Sequence, residues 1–455
     1  MTPLGVLLLA LVIVIGGMLL FRLHPFIVLI FAAFIVALVA PAETDITTVG
    51  RDVAQAFGTT ASKVGIVIAM ASILGACLSA AGGATRLVTT LQEAVGPKRT
   101  PLALLLGGFV LGIPMYADTV FFLLMPLAKA VWHRTGRGYL LAVLSIVCGA
   151  TMTHSLVPPT PGPLFVAEAL AVDMVTMIVF GLIVGSISAV AGFAYAHWAD
   201  DRWPLSPSTD AGAGNQSIAE EGHADATPVT MAPLWASMLP LLLPVALISL
   251  ASVTQSSPTL VPKDLRTIIS VLGDKNIALS IAAIASMIVL AWTLKDATVF
   301  RATTSKAIRD AGSIVLVIAA GGALGGTLRN AGLIELFDGM GMATGLVLIP
   351  TAWLVTMIIR IAQGSATVAM ITCAGIMAPI ALTPALTCHP VYLALAIGCG
   401  SKMGMWMNDS GFWVIARMSS MSERETLRSA SVMMAIESAV GLVVTLLLAR
   451  VFPMT

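Results

Sequence analysis

Apolar runs close to 20 residues long recur from one end of this chain to the other. That is the length an α-helix needs to cross a hydrocarbon layer about 30 Å thick. Within such a layer no water is present to satisfy backbone N–H and C=O groups, so each run must close its own hydrogen bonds as a helix. The 455 residues are 58% hydrophobic and only 10% charged, with a mean hydropathy of +0.97, against about 25% charged residues in soluble domains. The sequence therefore predicts an all-α polytopic membrane protein whose standing partner is the lipid bilayer. The net charge of +1 points to no charged macromolecule, and no nucleic acid is expected to bind. Five cysteines (Cys77, Cys148, Cys373, Cys388 and Cys399) show neither CxxC nor metal-ligand spacing. They read as free buried thiols, with no metal and no cofactor expected.

The candidate spans are 3–21, 25–42, 64–84, 139–154 continuing brokenly to 171, 174–197, 233–255, 276–294, 312–330, 390–417 with a break, and 430–452. Residues 3–21 lack the basic n-region and small-residue cleavage site of a signal peptide, so they count as the first span. Two stretches, 101–131 and 345–381, are too long for one helix and are marked by Gly, Pro or polar residues near their middles. Each is read as a re-entrant hairpin or as two crossings. With both as hairpins, the ten remaining crossings put 14 Lys and Arg on one side of the membrane and seven on the other. The basic side is the cytoplasmic one by the positive-inside rule, so both termini are expected to face outward.

The chain also reads as two related halves. LGACLSAAG (74–82) is echoed by LGGTLRNAG (324–332), and the pair Cys148-Gly149 by Cys399-Gly400. The order of elements repeats too, which predicts two inverted repeats, each with spanning helices, a re-entrant hairpin and a broken helix. Residues 1–199 form the first transmembrane repeat and 231–455 the second. Between them, 200–230 is polar, acidic and rich in Gly, Pro and Ser, the composition of a flexible cytoplasmic linker. Inverted repeats are characteristic of secondary transporters, whose sites sit at the midplane where broken helices meet.

Four constellations carry candidate chemistry. MYADTVFF (115–122) sets Asp118 and Thr119 just after Pro114. THSLVPPTPGP (153–163) holds Thr153, His154, Thr160 and Gly162 around prolines that forbid a continuous helix. Such non-helical backbone survives at membrane depth only in a cavity or inside protein. IRIAQGSATVA (359–369) offers Arg360, Gln363, Gly364, Ser365 and Thr367. MNDSGFW (407–413) supplies Asn408, Asp409 and Ser410, with Lys402 one to two turns earlier. An ionisable side chain near the bilayer centre costs roughly 2.5–3.5 kcal/mol on insertion scales and is read as functional by default. The competing readings are helix capping for Asp118 and Asp409 and snorkelling for Arg360. Arg360 and Lys402 suit a carboxylate, and the hydroxyls and amides suit a polyol. Asp118, Asp409 and His154 are the candidate proton carriers. Lys402 would hold a neighbouring Asp409 ionised, which favours Asp118.

On these strings the chain resembles the gluconate permease (GntP-type) family of gluconate:proton symporters, within the wider ion transporter superfamily. The matching segments are THSLVPPTPGP, RIAQGSATVA and MNDSGFW, with the acidic residue of MYADTVFF where the family has Glu or Asp. The resemblance runs from about residue 3 to 452. It implies proton-coupled uptake of gluconate or a related small hydroxy-carboxylate across the bacterial inner membrane by alternating access, with a homodimer carried over from the superfamily. The chain departs from better-known members at Thr160 (commonly His), Val120 (Gly) and Lys402 (apolar). The open alternatives are Na⁺ coupling through carbonyls and hydroxyls at the hairpin tips, and a small amino acid such as D-serine as cargo. An enzyme is not expected, since no HExxH, GxSxG, P-loop or paired metal-ligand motif occurs.

Overall fold

The computed structural model describes residues 3–19, 21, 23–39, 46–96, 99–206, 232–256, 261–331, 345–381, 386, 388–407 and 409–454. Residues 207–230 of the expected linker, and Asn408, lie outside these residues, while 200–202 at its start belong to a helix. Among the described residues the regular structure is helical and no strand occurs. The first half runs α1 (Pro3–Leu19), α2 (Pro25–Val39), α3 (Val49–Ala80), α4 (Gly83–Val95), α5 (Thr100–Leu111), α6 (Ala117–Thr135), α7 (Tyr139–Leu156), α8 (Pro161–Ala169) and α9 (Met174–Arg202). The second runs α10 (Leu234–Ser256), α11 (Lys263–Leu272), α12 (Lys275–Leu294), α13 (Ala297–Asn330), α14 (Gly345–Gln363), α15 (Ala366–Ala381), α16 (Val391–Gly400), α17 (Ser410–Met418) and α18 (Glu423–Val451).

The two long apolar stretches each fold as a pair of helices. Residues 101–131 become α5 and α6, joined over 112–116, and 345–381 become α14 and α15, joined at Gly364–Ser365. Helix α5 has 12 residues, about 18 Å at 1.5 Å per residue, well short of a bilayer's width. The expected breaks are present as well. Prolines 158, 159 and 161 interrupt α7–α8, and residues 401–409 interrupt α16–α17. Pro161 opens α8 at its first turn, where its missing N–H goes unneeded.

The halves match in detail. Helices α8 and α17 are nine residues each, and α9 and α18 are 29 residues each. One shift of 249 positions relates both pairs (161 to 410, 174 to 423). The glycines after the two matched cysteines take the same place. A Cβ on Gly149 would meet the α5 backbone, 2.7 Å from Phe109 N, and one on Gly400 would lie 2.5 Å from Trp353 O of α14. Each half thus presses the first helix of its hairpin onto its broken helix through a bare glycine. The long helices α3 and α13 pack against each other, Gly65 facing Val315 and Gly326 facing Ala56.

Polar contacts anchor the bundle. Glu168, at the end of α8, pairs with Lys63 of α3 at 3.4 Å and with Lys275 at the start of α12. Tyr195 Oη donates to Arg428 O, and the Arg428 guanidinium stacks 4.8 Å from the Trp203 ring. All five cysteines are buried and free. Because each bare glycine sits on backbone that has nowhere to go, Gly149→Leu or Gly400→Leu is expected to overpack the joint. Each should destabilise the protein by about 1–3 kcal/mol or more, read as a lowered melting temperature in detergent, whereas Gly50→Ala, with open space around it, should not.

Candidate functional site

Four short helix starts are built into the interruptions. Tyr116, in extended conformation, precedes α6, whose first turn carries Asp118. Asp118 Oδ1 accepts from the N–H of Thr119 at 2.9 Å. Gly364 turns the chain between α14 and α15 at a φ of +81°, a left-handed conformation that glycine adopts without strain. The next residue, Ser365, has its Oγ accept from Val368 N at 3.4 Å. Asp409 caps α17, its Oδ1 accepting from Gly411 N at 2.7 Å. Thr160 precedes α8 and turns its hydroxyl back to the end of α7, donating to His154 O and Val157 O, both at 2.9 Å.

Three of these starts, those of α6, α15 and α17, open onto one cavity of about 230 Å³. Helix N-termini carry partial positive charge and unpaired N–H donors, the ready form of an anion site. Arg360, in the last turn of α14, and Lys402, in the break between α16 and α17, add formal positive charge to the wall. The space is smaller than the roughly 300–1,000 Å³ of sites for drug-sized ligands and suits a small metabolite.

The charges are ordered by burial. Arg360 is 3% exposed. Its Nε donates to Ser401 O at 3.0 Å and its Nη2 to Asp409 Oδ2. Its Nη1 is buried and has no hydrogen-bond partner among the described residues. Asp409 is buried, paired to Arg360 and capping a helix at once, so the capping and the charge readings of this residue are both true. Lys402 is 2% exposed. Asp118 is the opposite case. Its carboxylate reaches open space through the cavity, and its side-chain hydrogen bond is to its own neighbour Thr119.

The structure brings Asp118, His154, Arg360, Gly364, Ser365, Thr367, Lys402, Asp409 and Ser410 to the cavity wall. Asn408 lies outside the described residues, and Thr119, Thr153, Thr160, Gly162 and Gln363 are off that wall. Thr119 offers its backbone N–H to Asp118, and the Thr153 hydroxyl is used on Gly149 O at 3.3 Å. The Thr160 hydroxyl closes the end of α7. Gly162 packs against Met370, and Gln363 lies just before the hairpin turn. Backbone closure claims the Thr153 and Thr160 hydroxyls and packing claims Gly162, whereas Gln363 Oε1 is buried without a hydrogen-bond partner among the described residues. Conversely, Tyr116, Thr151, Met405 and Met434 line the cavity without having been singled out. Thr151 is buried with its hydroxyl unpartnered among the described residues. It stands two residues after Gly149, as Lys402 stands two after Gly400, and that echo between the Cys-Gly pairs was the sequence signal for it. The Tyr116 ring packs against His154 with centroids 5.6 Å apart.

A helical bundle with two helix hairpins and two interrupted helices around a charged cavity fits the class of membrane transporters. The chain belongs to the GntP permease family: residues 2–451 match that family, described as GntP family permease. A gluconate permease of Pseudomonas aeruginosa is 32% identical over 453 residues, covering 97% of each chain. An L-idonate transporter of the Gnt-II system of Escherichia coli is 29% identical over 430 residues, covering 93% of each. Among solved structures, the YdaH transporter of Alcanivorax borkumensis superposes with a TM-score of 0.65 at 14% identity, over 95% of this chain and 99% of that one. The protein is thus a multi-pass transporter of the bacterial inner membrane and not an enzyme.

The Arg360–Asp409 pair yields a direct test. Removing one partner of a buried ion pair costs roughly 3–5 kcal/mol, because a bare charge stays behind. Asp409→Asn and Arg360→Met should each lower the melting temperature in detergent, and the double variant should fall by less than the two losses combined.

Proposed function

We propose that this chain carries gluconate or a related sugar acid into the cell together with a proton, by alternating access around the cavity. The observation that carries this reading is the convergence of the α6, α15 and α17 N-termini on a wall where Arg360 keeps a buried, unpartnered Nη1. A substrate carboxylate supplies the acceptor this donor lacks, and charge-assisted hydrogen bonds of this type are the strong ones. Hydroxyls of Thr151, Ser365, Thr367 and Ser410 lie around the same space and match the hydroxyl groups of a sugar acid. The relatives named for gluconate and for L-idonate fall in the same chemical class.

Asp118 is the proton carrier in this scheme. Asp409 is committed to Arg360 and to its helix cap, whereas Asp118 faces the cavity and is in no ion pair among the described residues. Protonation from the outside would remove a negative charge from the wall just as an anion enters. The shared 249-residue shift and the crossing of α3 with α13 support reading residues 1–199 and 231–455 as inverted repeats joined by the 200–230 linker. Exposure of the cavity would then alternate as the hairpins and broken helices rock against the long helices.

The test is uptake of labelled gluconate by proteoliposomes under an acid-outside pH gradient without Na⁺. Accumulation above equilibrium is expected. Asp118→Asn should abolish gradient-driven accumulation while keeping gluconate–gluconate exchange across the same membrane. Uptake that requires Na⁺ and ignores the pH gradient would overturn proton coupling.

A further inference from the structure

Among the described residues, the most deeply buried carboxylate outside the cavity is Glu437 of α18, at 0% exposure, and neither of its oxygens has a hydrogen-bond partner there. An unpaired charge in such a place is expensive, so the carboxyl is held either protonated or beside a cation. The groups around it come from three elements. Cys148 of α7 packs beside the carboxyl, next to Gly192 of α9, and Lys402, in the break between α16 and α17, lies within its electrostatic reach. Lys402 N and the hydroxyl of Ser438, the neighbour of Glu437, both donate to Cys399 O, at 3.0 and 2.7 Å, which sets the break carrying Lys402 against this segment of α18; Arg360, Asp409 and His154 share the cavity wall with Lys402. Arg360 and Asp409 already neutralise each other. That leaves Glu437 as the natural counter-charge of Lys402.

The internal repeat sharpens this. The shift of 249 that superimposes α9 on α18 pairs Ser188 with Glu437 and Gly192 with Gly441. The surroundings agree: a Cβ on Gly192 would meet Cys148 and Glu437, and one on Gly441 would meet Cys399 and Ser188. Likewise Thr151 and Lys402 each stand two residues beyond a matched glycine, and both line the cavity. One half therefore holds a threonine and a serine where the other holds a lysine and a glutamate. The two charges occupy one side of a pseudo-symmetric frame together, as a pair does.

We propose that Lys402 and Glu437 form a charge-exchanging pair: Lys402 turns its ammonium to the substrate's carboxylate, and Glu437, left behind, takes up a proton. In the empty cavity the ammonium balances the carboxylate of Glu437. When an anion binds, Lys402 balances the anion instead. Glu437 then forms an O–H bond with a proton from solvent and returns it when the anion leaves. One anion and one proton so enter this corner together, with no other bond changed. This deepens the transport reading, on which it rests for the identity of the anion, and adds a second proton site to Asp118.

The test uses the full-length protein in detergent and two readouts. In a melting cycle, Lys402→Met and Glu437→Gln should each lower the melting temperature, and the double variant should recover most of the combined loss. The double variant Lys402→Thr with Glu437→Ser, which installs the residues of the other half, should behave alike. In calorimetric gluconate titrations run in buffers of different ionisation enthalpy, proton uptake on binding should fall by close to one proton in Glu437→Gln, and Lys402→Met should weaken binding by about tenfold or more. Additive melting losses would overturn the pairing, and unchanged proton uptake in Glu437→Gln would overturn its role as acceptor. Absence of gluconate binding by the unaltered protein would count against the transported species, and the melting cycle alone would then decide the pair.

Discussion

One guanidinium holds together the part of this molecule that a membrane tolerates least. The interruption between α16 and α17 exposes carbonyls at one helix end and N–H groups at the other, and lipid offers neither a partner. Arg360 spans the gap. Its Nε takes the carbonyl of Ser401 just past α16, and its Nη2 takes Asp409, whose other oxygen caps α17. The arginine comes from the last turn of α14, so the same contacts dock the hairpin onto the broken helix. The third nitrogen of that fork, Nη1, is buried and has no hydrogen-bond partner among the described residues.

The other half solves the same backbone problem without charge. There Thr160 turns its hydroxyl onto the carbonyls of His154 and Val157, and proline removes an N–H at the start of α8. The two halves keep a common frame of helix lengths and bare glycines but fill it with different chemistry. At two positions that correspond, the first half has Thr151 and Ser188 where the second has Lys402 and Glu437, and the second half also carries the Arg360–Asp409 pair. An anion site needs such a bias, since a symmetric frame alone gives no preferred end for a carboxylate.

Much of the architecture was legible in the chain. Hydrophobic length determined the spans, because hydrocarbon thickness leaves helices little latitude. Pro158, Pro159 and Pro161 marked one break and the polar 407–413 string the other. The site was legible as four segments but not as a list of wall residues. Thr153 and Thr160 are polar at membrane depth, yet their hydroxyls are used on nearby carbonyls. Thr151, in an apolar run, reaches the cavity with its hydroxyl free. A hydroxyl's duty depends on which acceptor is nearer, and spacing along the chain does not report that.

By itself, then, the sequence determined the class, the helical spans, the places where they break and the family, because each follows from local chemistry: apolar length, missing amide donors and long polar strings. Tertiary structure alone decided how the charges are paired. Asp409 and Lys402 are close in the chain, but Asp409 bonds Arg360 from another helix, 49 positions away, and among the described residues no ion pair joins it to Lys402. Coulombic interactions between buried groups depend on separation in space, and only the packing of the hairpins onto the broken helices sets those separations.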